Sequence, residues 1–573
     1  MKIILKFIVL FVIFNWTQLQ ANDEAILAGQ RAEPVVGQHT MVVTSHQLAT
    51  EIALDILKAG GNAMDAAVAA GFALAVTQPR SGNIGGGGFM LYSPSNADAV
   101  TAIDYREKAP SKAYEKMFLD GRGNSDQALS QFSHLSAGVP GTVAGFALAL
   151  EKFGTMSLAQ VLQPAIHLAK NGFALPNRFV EGIAARKHVF DKWPASKKTF
   201  FKSDGTSYKV GEIFKQPDLA QTLQLIADNG PVGFYTGKTA KLIVSEMQKH
   251  GGLITYEDLA NYQAVIRQPV HGIYRGFDVY SMSPPSSGGV HIVQILNMLE
   301  PYPISEYGHN SAQTIHLMAE AMRRAYADRA SYLGDSDFIV VPLKGLTSKN
   351  YAQNLVNNIQ LDKATPSVEI KAGDPQQYES PETTHFSIVD QFGNAVSNTY
   401  TLNFSYGSGI VVTDAGFLLN NEMDDFSTKA GTANAFGLMG GEANKIEPNK
   451  RMLSSMSPTI VKLNGNNFLV TGSPGGSRII STTLQVIMNV IDHKMNIQTA
   501  VNSPRMHHQW WPDEIRIEQG ISPDTIALLT KMGHKVIQKS AMGGSQSILI
   551  NQENGSLYGA ADPRQSTSQA AGF

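Results

Sequence analysis

The chain has 573 residues, 43% hydrophobic and 16% charged, which supplies a large apolar core and excludes wholesale disorder. Lys and Arg total 46 against 48 Asp and Glu, a formal net charge of -2, so there is no broad basic field to hold a nucleic acid. With no cysteine, disulfides, thiolate metal ligands, a cysteine nucleophile and a lipoprotein anchor are all excluded.

At the start, Lys2 and Lys6 precede an apolar run from Phe7 to Phe14, and a polar stretch then ends in the small Ala21. That order is expected of a secretory signal peptide over residues 1–21, too short to span a bilayer. No later stretch approaches the roughly 18 apolar residues of a membrane span. An exported protein is expected, periplasmic or secreted, with no membrane contact after signal removal.

Gln38–Thr44 reads as a strand. Ser45 is placed to cap a helix running to Ala59, and Asn62 to cap an Ala-rich helix ending before Pro79. Gly85 to Gly88 lead into an apolar strand, Phe89–Tyr92. A phosphate cradle would need a Lys-Ser/Thr and a following helix, so these glycines are read as tight backbone packing. From about 141 to 360 helical periodicity dominates, clearest over Gly141–Phe153, Leu158–Asn171 and Ala312–Tyr332. A strand-like segment and the turn Ser283–Gly289 interrupt it. Residues 361–382 are polar, aperiodic and Pro-bearing, a loop, and from Thr383 the texture changes to β.

Residues 383–403 read as two arms of a hairpin around Asp390–Asn394, with Gly393 in the left-handed position. A pivot at Phe392 sets Thr383 opposite Thr401, two hydroxyls on one face. Taken alone this is a surface hairpin carrying a Thr pair. Further on, the strand Phe468–Thr471 feeds Ser-Pro-Gly-Gly-Ser and a helix from Arg478 toward Asp492, which places Gly475 and Gly476 at a helix N-terminus. His507 and His508 are adjacent in an extended segment and must point apart, so packing is expected there instead of a metal site, and likewise for His385.

A polar loop ending at Glu382, followed by Thr-Thr-His-Phe-Ser-Ile-Val-Asp, closely resembles the γ-glutamyltranspeptidase (glutathione hydrolase) family of the N-terminal nucleophile superfamily. The resemblance extends to G-G-N-A-M-D-A-A-V-A at 60–69, D-Y-R-E at 104–107 and P-P-S-S-G-G at 284–289. It continues through N-N-E-M-D-D-F at 420–426, L-S-S-M-S-P-T at 453–459 and G-S-P-G-G-S-R at 472–478. It implies an α+β fold, the αββα sandwich, in which a large subunit (22–382) and a small one (383–573) form one continuous core as a non-covalent heterodimer.

The resemblance further implies self-cleavage between Glu382 and Thr383. A threonine hydroxyl needs a base, and the cut supplies one, the freed α-amino group of Thr383. Thr401 would orient the nucleophile, and Gly475 and Gly476 would hold the oxyanion. Arg106, Ser454 and Ser455 would bind the α-carboxylate of the γ-glutamyl head group, and Asn403, Glu422 and Asp425 its ammonium. In isolation Arg106 and Asp425 read as solvated charges, and Ser454-Ser455 as a turn. The implied donors are glutathione and other γ-glutamyl compounds, the acceptors water, amino acids or dipeptides. No metal or organic cofactor is implied. Phe436, in the lid-like segment 427–441, stands where many relatives carry Tyr, which removes a hydroxyl able to latch the lid to Asn403. The rival readings are a cephalosporin acylase or poly-γ-glutamate depolymerase of the same fold, and a non-catalytic exported solute-binding protein.

Overall fold

The computed structural model describes residues 32–95, 99–375, 386–429, 431–434 and 436–573. The signal segment, Glu382, Thr383 and His385 lie outside the described residues.

Local signals set many element ends. Asn62 caps the helix Ala63–Thr77, its side chain accepting from the amides of Met64 and Asp65 while Asp65 bonds back to the Asn62 amide. All of that helix is buried, as its alanine density requires. The preceding helix, Gln47–Lys58, is capped by His46 and not by Ser45. The Ser45 hydroxyl is turned instead to Gln78 Oε1, 2.5 Å away. The strand expected over Gln38–Thr44 begins only at Met41, because the amides of Gln38, His39 and Thr40 all converge on the Phe573 carbonyl. The helices Thr142–Phe153, Leu158–Asn171 and Ala312–Tyr332 match their periodicity.

Two seven-stranded antiparallel sheets form the centre. One runs, edge to edge, Val35–Gly37, Leu557–Ala561, Gln546–Ile550, Asn466–Thr471, Thr459–Leu463, Phe277–Ser281 and Val270–Tyr274. The other runs Gln569–Gly572, Met41–Thr44, Ser387–Val389, Ala395–Thr401, Gly87–Ser93, Thr101–Tyr105 and Val265–Arg267. Strands from before and after the 376–385 stretch are therefore intermixed within both sheets.

Alternating apolar residues fill the space between the sheets, among them Met41, Val43, Phe89, Leu91, Ile460, Val470 and Ile548. The outer face of the second sheet is covered by helices including Ala63–Thr77 and Thr142–Phe153, that of the first by Gly288–Leu299 and neighbours. The layering is αββα, with one core shared by both parts of the chain. Among the described residues no helix is long and apolar enough to cross a membrane.

The hairpin keeps the expected register: Ser387, Ile388 and Val389 face Ser397, Val396 and Ala395, and the Asn398 amide bonds the Phe386 carbonyl. Gly393 takes φ +81° at its turn. Asp390 closes that turn and reaches the Ala63 amide at 2.8 Å, tying the hairpin to the Ala-rich helix. The glycine run packs against the other arm: a Cβ on Gly86 would lie 1.9 Å from the Thr401 carbonyl oxygen, so only glycine lets Thr401 sit there.

Candidate active site

Thr401, Asn403, Arg106, Glu422, Asp425, Ser454, Ser455, Gly475 and Gly476 all line one cavity of about 440 Å³. Thr401 ends a strand of one sheet and the others lie in loops and turns next to strands of both, some more than three hundred residues apart in sequence. Each is held by local chemistry.

Arg106 ends the strand Thr101–Tyr105, where its amide bonds Asp104 Oδ1 and its carbonyl accepts from the Tyr262 hydroxyl. The guanidinium is fully buried, not solvated: Nη1 lies 2.7 Å from Glu422 Oε2, Nη2 lies 2.6 Å from Asp425 Oδ2, and Nε donates to the Met452 carbonyl. Burial alone would favour loss of its proton, but Glu422, Glu107 and Asp425 outweigh this and hold the charge. Burial pushes the carboxyl groups of Glu422 and Asp425 upward against the pull of Arg106. Glu422–Asp425 forms a short 3-10 turn anchored by Asn420, whose side-chain nitrogen donates to the carbonyls of Gly85 and Gly138.

The Pro284–Gly289 turn shapes the loop carrying Ser454 and Ser455. The Ser454 amide donates to the Pro285 carbonyl, and its own carbonyl accepts from the Ser286 and Ser287 hydroxyls. Three hydroxyls of the site share one arrangement. Thr401 Oγ1 accepts from the Asn403 amide, Ser454 Oγ from the Met456 amide and Ser455 Oγ from Arg329 Nη2. Each oxygen already accepts from a fixed N–H, so each hydroxyl proton is left to donate to a substrate anion or nucleophile oxygen. Asn403 sits at φ +76° and spends its side-chain nitrogen on the Asn421 carbonyl, leaving its side-chain oxygen as an acceptor.

Gly475 and Gly476 adopt φ +143° and +58° just ahead of the helix Arg478–Ile491. Among the described residues neither of their amides has an acceptor, and both line the cavity. Two free N–H groups at a helix N-terminus suit a developing oxyanion.

Arg329 was not found from the sequence. It is buried on the helix Ala312–Tyr332, lines the cavity and donates to the hydroxyls of Ser287 and Ser455. Burial lowers its pKa to about 10. A second such residue is Gln509, whose Nε2 donates to the carbonyls of Phe436 and Gly437 in the lid segment. Its Oε1 is held by Ser477 and His507. Their partners are remote in sequence, and no local pattern announces them.

The lid segment does reach the site. The Phe436 ring packs edge-on to Phe404, centroids 5.1 Å apart, and covers Gly476, whose missing Cβ would lie 2.6 Å from it. Phe436 thus holds this segment against the site through ring contacts, without a hydroxyl. His507 and His508 do point apart, to Ser481 and to Asp513 with Arg323, as packing requires. Two clusters, His134–Glu246–His250 and His316–Glu320–His534, gather possible metal ligands away from this cavity. Glu320 is already shared by Arg323 and Arg324.

A family model described as gamma-glutamyltranspeptidase matches residues 49–572. The chain is 54% identical to the glutathione hydrolase proenzyme of Escherichia coli K12, covering 94% of this chain and 93% of the relative. Among solved structures it resembles a cephalosporin acylase from Bacillus halodurans, with TM-score 0.85 and 28% identity over 95% of this chain and 97% of that one. It also resembles γ-glutamyltranspeptidase of Helicobacter pylori, with TM-score 0.58 and 50% identity over 59% of this chain and 97% of that one.

Proposed function

The chain belongs to the γ-glutamyltranspeptidase family, and on that premise we propose that it hydrolyses glutathione and related γ-glutamyl compounds and passes the γ-glutamyl group to amino acids or short peptides. One observation supports this above all. Oppositely charged groups fit for an α-amino-acid head group, hydroxyls free to donate and two glycine amides unpartnered among the described residues line a single cavity with Thr401. Cephalosporin acylase shares the fold, but the paired Arg106, Glu422 and Asp425 suit a zwitterionic head group.

The exported precursor cuts itself between Glu382 and Thr383, and the parts 22–382 and 383–573 stay together without a covalent link, since there is no cysteine. The freed α-amino group of Thr383, with an ordinary pKa of about 7.7 to 8, takes the hydroxyl proton as Oγ attacks the γ-carbonyl. Thr401 donates a hydrogen bond to the nucleophile oxygen, keeping its own proton, and the amides of Gly475 and Gly476 receive the oxyanion. Collapse expels the amine, which leaves with the proton, and forms a γ-glutamyl ester on Thr383. Water or an incoming amine then attacks that ester with the same base. Arg106, Ser454 and Ser455 hold the α-carboxylate; Asn403, Glu422 and Asp425 hold the ammonium.

Intact mass together with glutathione turnover tests the reading. The purified protein is expected as two chains beginning at residues 22 and 383, and Thr383→Ala as one inactive chain. A wholly uncut protein with full activity overturns it.

A further inference from the structure

The head-group residues occupy only part of the cavity. Its wall also carries Arg80, Arg178 and Arg186, and the same three arginines line an adjoining outer cavity of about 560 Å³ that none of Arg106, Glu422, Asp425, Ser454 or Ser455 reaches. The trio therefore stands between the bond to be broken and the outside, where a leaving group must exit and an acceptor must enter.

The three cations are poorly compensated. Arg80 follows the Ala-rich helix and donates to the Ser405 hydroxyl at 3.3 Å, while its Nε is buried without a partner among the described residues. Arg178 and Arg186 lie two turns apart on the helix Asn177–Phe190. The first donates to the Arg564 carbonyl and the second lies over the Phe132 ring. Among the described residues none of the three has a carboxylate at ion-pair distance. Of the acids nearby, Asp562 is committed to Arg505 and Arg564, and Glu181 accepts from Asn177. Burial, then the charge of Arg80, lowers the pKa of both Arg178 and Arg186. Half-buried like charges in Coulombic contact are unfavourable unless an anion joins them.

We propose that Arg80, Arg178 and Arg186 form a subsite for a carboxylate carried on the far side of the γ-glutamyl bond. In a donor this is the C-terminal carboxylate of a γ-glutamyl peptide; in an acceptor it is the carboxylate of the incoming peptide. The inference rests on the γ-glutamyl reading above and adds which leaving groups and acceptors the site prefers. Guanidinium forks suit this role because they pair with carboxylates through two N–H groups.

The test compares substrates that differ in one charge. For donors, kcat/KM is measured for γ-glutamyl-4-nitroanilide and its 3-carboxy derivative, and for glutathione and its glycine amide. For acceptors, transfer to glycylglycine is compared with transfer to glycylglycinamide. Each is run on the unaltered protein, on Arg80→Gln, Arg178→Gln and Arg186→Gln together, and on the triple Lys variant. The expected result is a preference for the carboxylated member that falls about tenfold in the Gln variant, is largely kept in the Lys variant and weakens with salt. A fall confined to the donor or to the acceptor pairs assigns the subsite to that partner. Ratios unchanged by the Gln substitutions, or charged and neutral members slowed equally, overturn the proposal. Cleavage into two chains on a gel reports folding of each variant. Absence of any γ-glutamyl turnover in the unaltered protein is a failure of the function reading and not of the subsite.

Discussion

Arg106 Nη2 lies 2.6 Å from Asp425 Oδ2, so the cation proposed for the substrate carboxylate is bonded to an anion proposed for the substrate ammonium. Cation and anion neutralise each other. A γ-glutamyl head group brings one charge of each sign and can exchange into this pair without leaving a buried charge alone.

Arg106→Lys keeps the charge but loses the planar fork that reaches Glu422 and Asp425 at once. It is expected to lower kcat/KM for a γ-glutamyl anilide by about 10- to 150-fold, the loss of one charge-assisted contact. The same anilide without its α-carboxylate is affected much less. Equal slowing of both substrates removes Arg106 from the carboxylate role. Asp425→Ala is expected to cost at least as much, because it removes one of the carboxylates that position Arg106 and weakens the proposed ammonium site together.

Thr401→Val removes the hydroxyl whose oxygen accepts from the Asn403 amide. Loss of the hydrogen-bond donor proposed for the nucleophile oxygen is expected to lower kcat by about 100-fold with little change in KM. Thr401→Ser, which keeps the hydroxyl, recovers most of it. Steady-state kinetics on all three proteins decide the matter; equal loss in Ser and Val points to packing instead.

Gly476→Ala forces a side chain onto φ +58°, at a backbone cost of about 1 to 2 kcal/mol, and drives its Cβ to 2.6 Å from the Phe436 ring. Activity is expected to fall sharply, and a second change, Phe436→Ala, to restore part of it by vacating that space. Phe436→Ala alone loses the contact with Phe404 and loosens the lid, raising KM. A double variant no better than Gly476→Ala would show that the backbone strain, not the lid contact, is limiting.

Glu246 gives a pH-dependent stability term. Burial would raise its pKa, but hydrogen bonds from His134 and Thr413 prevail and lower it from 4.5 to about 2. A carboxyl depressed in the folded state stabilises above its unfolded pKa, and that stability is lost as pH falls from about 4.5 toward 2. Thermal melts over this window are expected to drop less steeply for Glu246→Gln than for the unaltered protein. Parallel curves contradict the assignment.

What was readable in advance is what short-range chemistry dictates. The cap at Asn62, the helix Leu158–Asn171 and the hairpin register about Phe392 follow from spacing alone, and the structure keeps all three. The site residues carried no such signal of their own. Arg106 by itself reads as a surface charge, and it is buried because Asp425 and Glu422, over three hundred residues later, fold back onto it. Arg329 and Gln509 escaped because their partners are likewise set by tertiary packing. Ser45 stands at a cap position by spacing, but its hydroxyl turns to Gln78, a partner a helix away that local spacing does not reveal.

The intermixing of early and late strands bears on how the protein can be made and lost. Met41–Thr44 is flanked by Gln569–Gly572 and Ser387–Val389, and Val35–Gly37 edges its sheet beside Leu557–Ala561. Two separate halves could not first fold and then dock, since neither holds a complete sheet. Assembly must finish while the chain is still one molecule, and the proposed cut between Glu382 and Thr383 would then turn a unimolecular reaction into a bimolecular one. Unfolding of the cut protein should therefore be irreversible on dilution, whereas uncut Thr383→Ala refolds at a rate independent of concentration. Maturation would act as a ratchet: the native form persists through slow unfolding, not through the ability to form again.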